Sequence, residues 1–212
     1  MTIVITGANR GIGLGLDEAY RARGEKVIGT RRSGDWSLEV TDTASQAAFA
    51  ERLDGRAVEL LVCNAGVYLD KGEPLDHGFD AALWAQTYAV NVTGVFLTVQ
   101  ALLPNLRTAK EPKIAIISSK MASHTNAPGG SYIYRSSKAA ALNLGRNLAS
   151  DLRPDGIAVG IYHPGWVVTD MGGSGADIQV NDAVPGLMAR FAELSLATTG
   201  VFETWDGEAL AF

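Results

Sequence analysis

Short apolar runs bounded by turn residues recur along the chain at Ile3 to Thr6, Lys26 to Thr30, Leu60 to Cys63, Lys113 to Ile117 and Ile157 to Tyr162. Runs of this length, rich in Ile and Val, read as buried strands, and helix-like patterning fills the stretches between them. In the first of those stretches Ile12, Leu16, Ala19 and Tyr20 fall on one helical stripe while Asp17, Arg21 and Arg23 point elsewhere, and Gly24 follows as a stop. A weaker short strand over Ser37 to Val40 precedes a helix over Thr43 to Leu53, which Asp42 or Thr43 can cap. The stretch from about Asp80 to Arg107 reads as mostly helical, and Ser131 to Leu152 as a second long helix ended by Pro154 and Gly156. Strands alternating with helices predict an α/β protein: a doubly wound parallel sheet with helices on both faces.

No repeat or linker interrupts that pattern, and 212 residues suffice to bury one core, so residues 1–212 are expected to form a single domain. With 47% hydrophobic and 19% charged residues the balance is that of a packed protein, and its 24 glycines form no low-complexity tract, so they are expected to serve local backbone turns. The net charge of −5, without a Lys/Arg cluster, argues against nucleic acid or an anionic membrane as partner and leaves a small anionic ligand open. Cys63 is the only cysteine and cannot form an internal disulfide. The first residues run directly into Thr2-Ile3-Val4-Ile5-Thr6 without a leader pattern, and no apolar stretch is judged long enough to span a membrane. A cytoplasmic, reducing location is the expectation. His77, His124 and His163 lack metal-ligand spacing and read as ordinary surface or loop residues, so no metal is expected.

Directly after the first strand, Thr6-Gly7-Ala8-Asn9-Arg10-Gly11-Ile12-Gly13 opens the first helix. Glycines stand where a backbone must turn tightly and approach a pyrophosphate, and the helix N-terminal amides supply donors for it. The spacing Gly-x-x-x-Gly-x-Gly alone is compatible with a simple tight loop; its strand-turn-helix setting favours a dinucleotide site in a Rossmann-type fold. After the second strand, where an acid would hold an NAD ribose, the chain has Thr30-Arg31-Arg32, which suits a 2′-phosphate. Arginines are usually solvated surface charge; beside the glycine turn, Arg10 and Arg31 are favoured as phosphate ligands.

Through Thr6 to Gly13, Asn64-Ala65-Gly66, Asn91, Ser118-Ser119, Tyr134-Arg135-Ser136-Ser137-Lys138 and Pro164-Gly165, the chain resembles the short-chain dehydrogenase/reductase family, in order up to about residue 172. The runs Tyr134 to Lys138 and His163-Pro164-Gly165-Trp166 to Gly173 are most similar to its C-factor and sniffer-like carbonyl reductase branch. The residues ask for the same chemistry independently. Reducing a carbonyl needs a proton on oxygen as hydride reaches carbon, and a phenol can give it. Tyr134 and Lys138 are four apart on one helical face, so an ammonium near the phenol is expected to favour phenolate. Ser119 or Ser118, at the end of a strand, can donate to the substrate oxygen. The family usually separates its serine and tyrosine by slightly fewer residues, and Thr125 to Gly130 lengthens that segment here.

The resemblance further implies a catalytic set of Asn91, Ser119, Tyr134 and Lys138, with Lys138 also on the nicotinamide ribose and Asn91 bonding its own backbone and holding a proton-relay water. It implies NADP(H) contacts at Gly7, Asn9, Arg10, Gly11, Ile12, Gly13 and Arg31. Glu39, in place of the usual Asp, and Val40 would meet the adenine, while Asn64, Ala65 and Gly66 line its ribose side. Pro164, Gly165, Val167 and Thr169 would border the nicotinamide, with the Thr169 hydroxyl and Val167 backbone as carboxamide partners. Cys63, where the family more often has Asn, reads as a small core residue. The expected activity is reduction of an aldehyde, ketone or quinone, or the reverse alcohol oxidation; a nucleotide-binding signalling or sensor protein is the competing reading. A short glycine-containing segment, Asp170 to Leu187, is expected to cover a rather open substrate pocket, and a homo-oligomer is compatible with the sequence.

Overall fold

The computed structural model describes residues 1–212. Its six strands are β1 (Thr2–Ile5), β2 (Lys26–Gly29), β3 (Leu60–Cys63), β4 (Lys113–Ile117), β5 (Ala158–His163) and β6 (Phe202–Thr204). They pair in parallel throughout, in the order β2-β1-β3-β4-β5-β6. Six α-helices connect them: α1 (Gly11–Ala22), α2 (Thr43–Leu53), α3 (Ala81–Tyr88), α4 (Gly94–Arg107), α5 (Tyr132–Asp151) and α6 (Val180–Glu193). This is the doubly wound sheet that the alternating pattern predicts.

Successive side chains of a strand face opposite ways, so each central strand feeds two cores. Val4, Leu61, Ile114 and Ile116 pack beneath α2, α4 and α5, while Ile3, Ile5, Val62 and Ala115 pack beneath α1 and α6. Because both faces are covered, these strands are apolar at every position rather than at every second one. From β1 the chain winds toward β2, and from β3 toward β4, β5 and β6. The carboxyl ends of β1 and β3 therefore flank the switch point at which such folds bind ligands.

The strand expected over Ser37 to Val40 does not form: Leu38 and Val40 are buried, but pairing is limited to a bridge between Arg31 and Ser37. The sixth strand is instead β6, whose three residues are too few to show a period. His163, read as a surface or loop residue, ends β5 and is buried; desolvation and the nearby Lys120 lower its pKa to about 4. The expectation that no stretch reaches membrane-spanning length also needs correction. Ala81–Arg107 is continuous helix, 27 residues long, with a mean hydropathy of 1.4 over an 18-residue stretch. It is three segments, α3, a π-turn (Ala89–Thr93) and α4, and Val95, Val99, Leu102 and Leu106 face the sheet as core.

Candidate active site

A cleft of about 480 Å³ opens at the carboxyl ends of β1 and β3. Gly7 and Gly11 line it with φ of +67° and +52°, values that side chains rarely adopt. Gly13 lies beneath the loop rather than in the cleft, where a Cβ would overlap the Gly7 carbonyl oxygen and the Asn64 amide. Asn9, Arg10 and Ile12 complete the rim, and no side chain caps α1, so its first-turn amides remain available to a ligand. Asn64 braces the loop from β3, donating through Nδ2 to the carbonyls of Thr6 (2.9 Å) and Gly7 (3.1 Å). Ala65 and Gly66 line the same wall.

Across the cleft, Arg31 is exposed and makes no ion pair, Val40 and Glu39 stand beside it, and Glu39 faces Arg32 at 3.5 Å. Arg10 is engaged by Asp170, 2.8 Å away in an exposed pair. Of the two arginines favoured as phosphate ligands, only Arg31 stands free.

The reacting end is buried. Tyr134 and Lys138, one turn apart on α5, are 7% and 5% exposed. Lys138 Nζ donates to the Ile117 carbonyl (2.9 Å) and lies 5.6 Å from the centre of the Tyr134 ring. Burial lowers its pKa to about 8. The expected drop in the Tyr134 pKa is not found: burial above all, then Tyr68 and Asp70, push it up, and only the hydrogen bond with Ser119 pulls it down. Ser118 lines the cleft and donates to the Lys138 carbonyl (3.2 Å), whereas Ser119 is not part of the cleft lining: its Oγ accepts from Met121 N (3.1 Å) and lowers the Tyr134 pKa from nearby.

Asn91 sits in the π-turn, where the extra residue per turn aims it across the site rather than at its own backbone. Its Oδ1 accepts from Val67 N (2.9 Å), and its Nδ2 donates to Val67 O (2.9 Å) and Ser137 Oγ (3.0 Å). Asn91 Oδ1 and Lys138 Nζ both lie within 3.5 Å of where a Gly66 Cβ would be.

Pro164 and Thr169 border the cleft after β5. Gly165 (φ +89°) and Val167 do not line it: Val167 is buried and bridges Ile178, and its carbonyl accepts from Thr169 Oγ1 at 3.3 Å. The segment expected to cover the pocket stops at Gln179, because Val180 begins α6, whose Ala183, Val184 and Leu187 are core. What remains is tied down: Lys71 Nζ donates to the carbonyls of Met171 (3.3 Å) and Gly172 (3.0 Å), and Trp166 Nε1 to that of Gly172 (3.0 Å).

A cleft lined by a glycine turn, with a buried tyrosine and lysine at its end, agrees with comparison to known proteins. Residues 35–180 match the family model of the short chain dehydrogenases. The chain belongs to the short-chain dehydrogenase family. Among sequence relatives, the C-signal of Myxococcus xanthus is 36% identical over 164 residues, covering 76% of this chain and 96% of that protein. The NADPH-bound carbonyl reductase from chicken fatty liver superposes with a TM-score of 0.90 at 32% identity, over 100% and 98% of the two chains. The carbonyl reductase Sniffer of D. melanogaster gives 0.93 at 26% identity, over 100% and 99%. The C-factor and sniffer-like branch is therefore the one this short-chain dehydrogenase joins.

Two side chains at the reacting end carried no sequence signal. Tyr68 stacks on the Tyr134 ring, centroids 4.1 Å apart and planes at 17°, and its hydroxyl bonds that of Ser131. Asp70, wholly buried, accepts from the amides of Ile133 (2.8 Å) and Tyr134 (3.1 Å). Both reach α5 from more than sixty residues earlier in the chain, where no local period can mark them.

Proposed function

We propose that the protein is an NADPH-dependent reductase of carbonyl compounds (aldehyde, ketone or quinone) with Tyr134 as its proton donor. The observation that carries this reading is the buried phenol of Tyr134, held protonated by desolvation, with the Ser119 hydroxyl nearby and Lys138 on the same helical face. A group that keeps its proton at neutral pH serves reduction better than oxidation, since reduction spends that proton.

The residues of the cleft fit a nicotinamide dinucleotide. Positive-φ glycines and uncapped α1 amides suit a pyrophosphate, and the unpaired Arg31, in place of an acid, suits a 2′-phosphate. When bound, the reduced nicotinamide supplies the hydride. Ser119 donates to the carbonyl oxygen and orients it, and Tyr134 gives that oxygen its proton. Lys138, presenting its ammonium toward the ring, stabilises the phenolate left behind, and Asn91 with Lys138 frames the path by which the proton is replaced. The segment from Asp170 to Gln179 covers the substrate, and its glycines leave the pocket tolerant. Alcohol oxidation is the same sequence reversed.

The similarity to C-signal favours a second reading, a nucleotide-binding signalling protein without turnover. One experiment separates them: purified protein, saturating NADPH and a panel of aldehydes, ketones and quinones, followed by loss of nicotinamide absorbance. Turnover that Tyr134→Phe abolishes supports the reductase; NADPH binding with no turnover across the panel supports the signalling protein.

A further inference from the structure

We propose that Asp70 is a positioning residue for the proton donor: from the loop after β3 it grips the first turn of α5 and so sets Tyr134 against Ser119. The inference rests on Tyr134 being the acid.

The first amides of a helix have no partner within it, and a side chain just before the helix usually satisfies them. In α5 that arrangement is missing. Ser131, at the N-cap, is left-handed (φ +50°) and makes no capping bond, its hydroxyl being taken by Tyr68. Asp70 supplies the cap instead, from 63 residues away, and one of the two amides it takes is that of Tyr134 itself. The other aspartate caps are local: Asp42 accepts from Ala44 at the start of α2, and Asp80 from Ala82 at the start of α3. Both of those carboxyls are exposed, whereas Asp70 is 0% exposed and has no cationic partner.

A buried acid without a cation is costly unless its oxygens are hydrogen-bonded, and the positive end of the α5 dipole is what faces it here. Tyr68, two residues earlier, reaches the same helix and stacks on the Tyr134 ring. Val67, next to it, is held by Asn91. One short segment thus fixes the backbone of the donor through Asp70 and its ring through Tyr68. Asp70 touches neither the cleft nor Ser119, so its action on the reaction passes through Tyr134.

The test compares the full chain with Asp70→Asn, Asp42→Asn and Tyr134→Phe, using NADPH and the panel compound that wild type reduces fastest. Asn offers one acceptor and turns an N–H toward the second amide. In Asp70→Asn, kcat is expected to fall about tenfold or more, as a small displacement of a reacting group costs, with the NADPH Kd within about twofold of wild type. Asp42→Asn makes the same change at an exposed cap remote from the donor, where Asn caps about as well as Asp, and should leave kcat and melting temperature close to wild type. In the reverse direction the rise of alcohol oxidation with pH should set in at lower pH in Asp70→Asn, because a negative charge that opposes phenolate is gone. Wild-type kcat together with an unmoved pH profile in folded Asp70→Asn overturns the proposal, as does an equal loss of kcat in Asp42→Asn. If Asp70→Asn does not fold, Asp70→Glu keeps the charge on a longer arm; reduced kcat at unchanged Kd supports the proposal, and wild-type kcat rejects it. Full turnover in Tyr134→Phe would sink the assignment of the acid itself, whatever Asp70 does.

Discussion

At the end of the cleft proposed to hold the nucleotide, the groups on offer are main-chain amides at the start of α1 and an arginine, Arg31, that stands in solvent. At the reacting end they are side chains that solvent barely reaches, with the polar atoms of Lys138, Asn91 and Asp70 already committed to partners. The first arrangement depends on backbone shape: it tolerates changes of side chain but not a Cβ at Gly13. The second depends on individual atoms, because a buried polar group that loses its partner has no water to replace it. The two ends should therefore respond in opposite ways to substitution, pH and salt.

The largest effect is expected from a single oxygen. Tyr134→Phe should keep NADPH affinity and lower kcat by roughly 10²-fold or more, the range for loss of general acid catalysis; binding titration and steady-state rates check it. Next comes the buried lysine. Its folded pKa, about 8, lies below the ordinary lysine value of 10.5, so its burial penalty is fully present below pH 8. Between these values the unfolded chain holds more protons than the folded one, and stability rises with pH. Comparing urea unfolding of cofactor-free wild type and Lys138→Met at pH 7 and pH 10, wild type should gain about 2 kcal/mol relative to the variant. The gain of a tyrosine-linked instability above pH 9 is common to both chains and cancels. A variant that tracks wild type across that range would show that Lys138 is not a buried cation in solution.

Arg31→Asp tests the exposed end. One charge-assisted contact in solvent, taken at the low end of its range, predicts about a tenfold fall in the ratio of kcat/KM with NADPH to that with NADH. The same ratio should fall in wild type as salt is raised, while kcat at saturating cofactor stays level; a wild type that prefers NADH would overturn the role given to Arg31. The smallest effect is expected at the cover: Lys71→Met should raise KM for substrate about two- to threefold with little change in kcat, as exposed hydrogen bonds of this kind contribute little.

Much of this could be read from residue order because the information was local. The strands β1 to β5, a cap at Asp42 or Thr43, the glycine turn and the Tyr134–Lys138 pair all depend on neighbours within a few residues. What escaped was set across the fold. Ser118 and Ser119 are equivalent on paper; only the placement of α5 gives Ser118 the Lys138 carbonyl and brings Ser119 near the phenol. The phenol pKa was expected to fall because a lysine lies one turn away, but desolvation, which no spacing reveals, is the larger influence. Ser37 to Val40 has the alternation of a strand and lacks pairing beyond one bridge, while β6 has pairing and too few residues to alternate. The break near Gln179 was hidden because the glycines of 172 to 175 resemble loop, and the helix after them begins without a Ser, Thr, Asp or Asn cap.

The grip of Lys71 on the cover is made to the carbonyls of Met171 and Gly172 and to no side chain. A tether that holds main chain is blind to which residues it restrains. Apart from Gly172, where a Cβ would overlap the Val167 carbonyl, and Gly173, whose φ is +86°, side chains between Asp170 and Gln179 can therefore be exchanged over generations, altering what the pocket admits, while the anchoring of the segment is inherited unchanged.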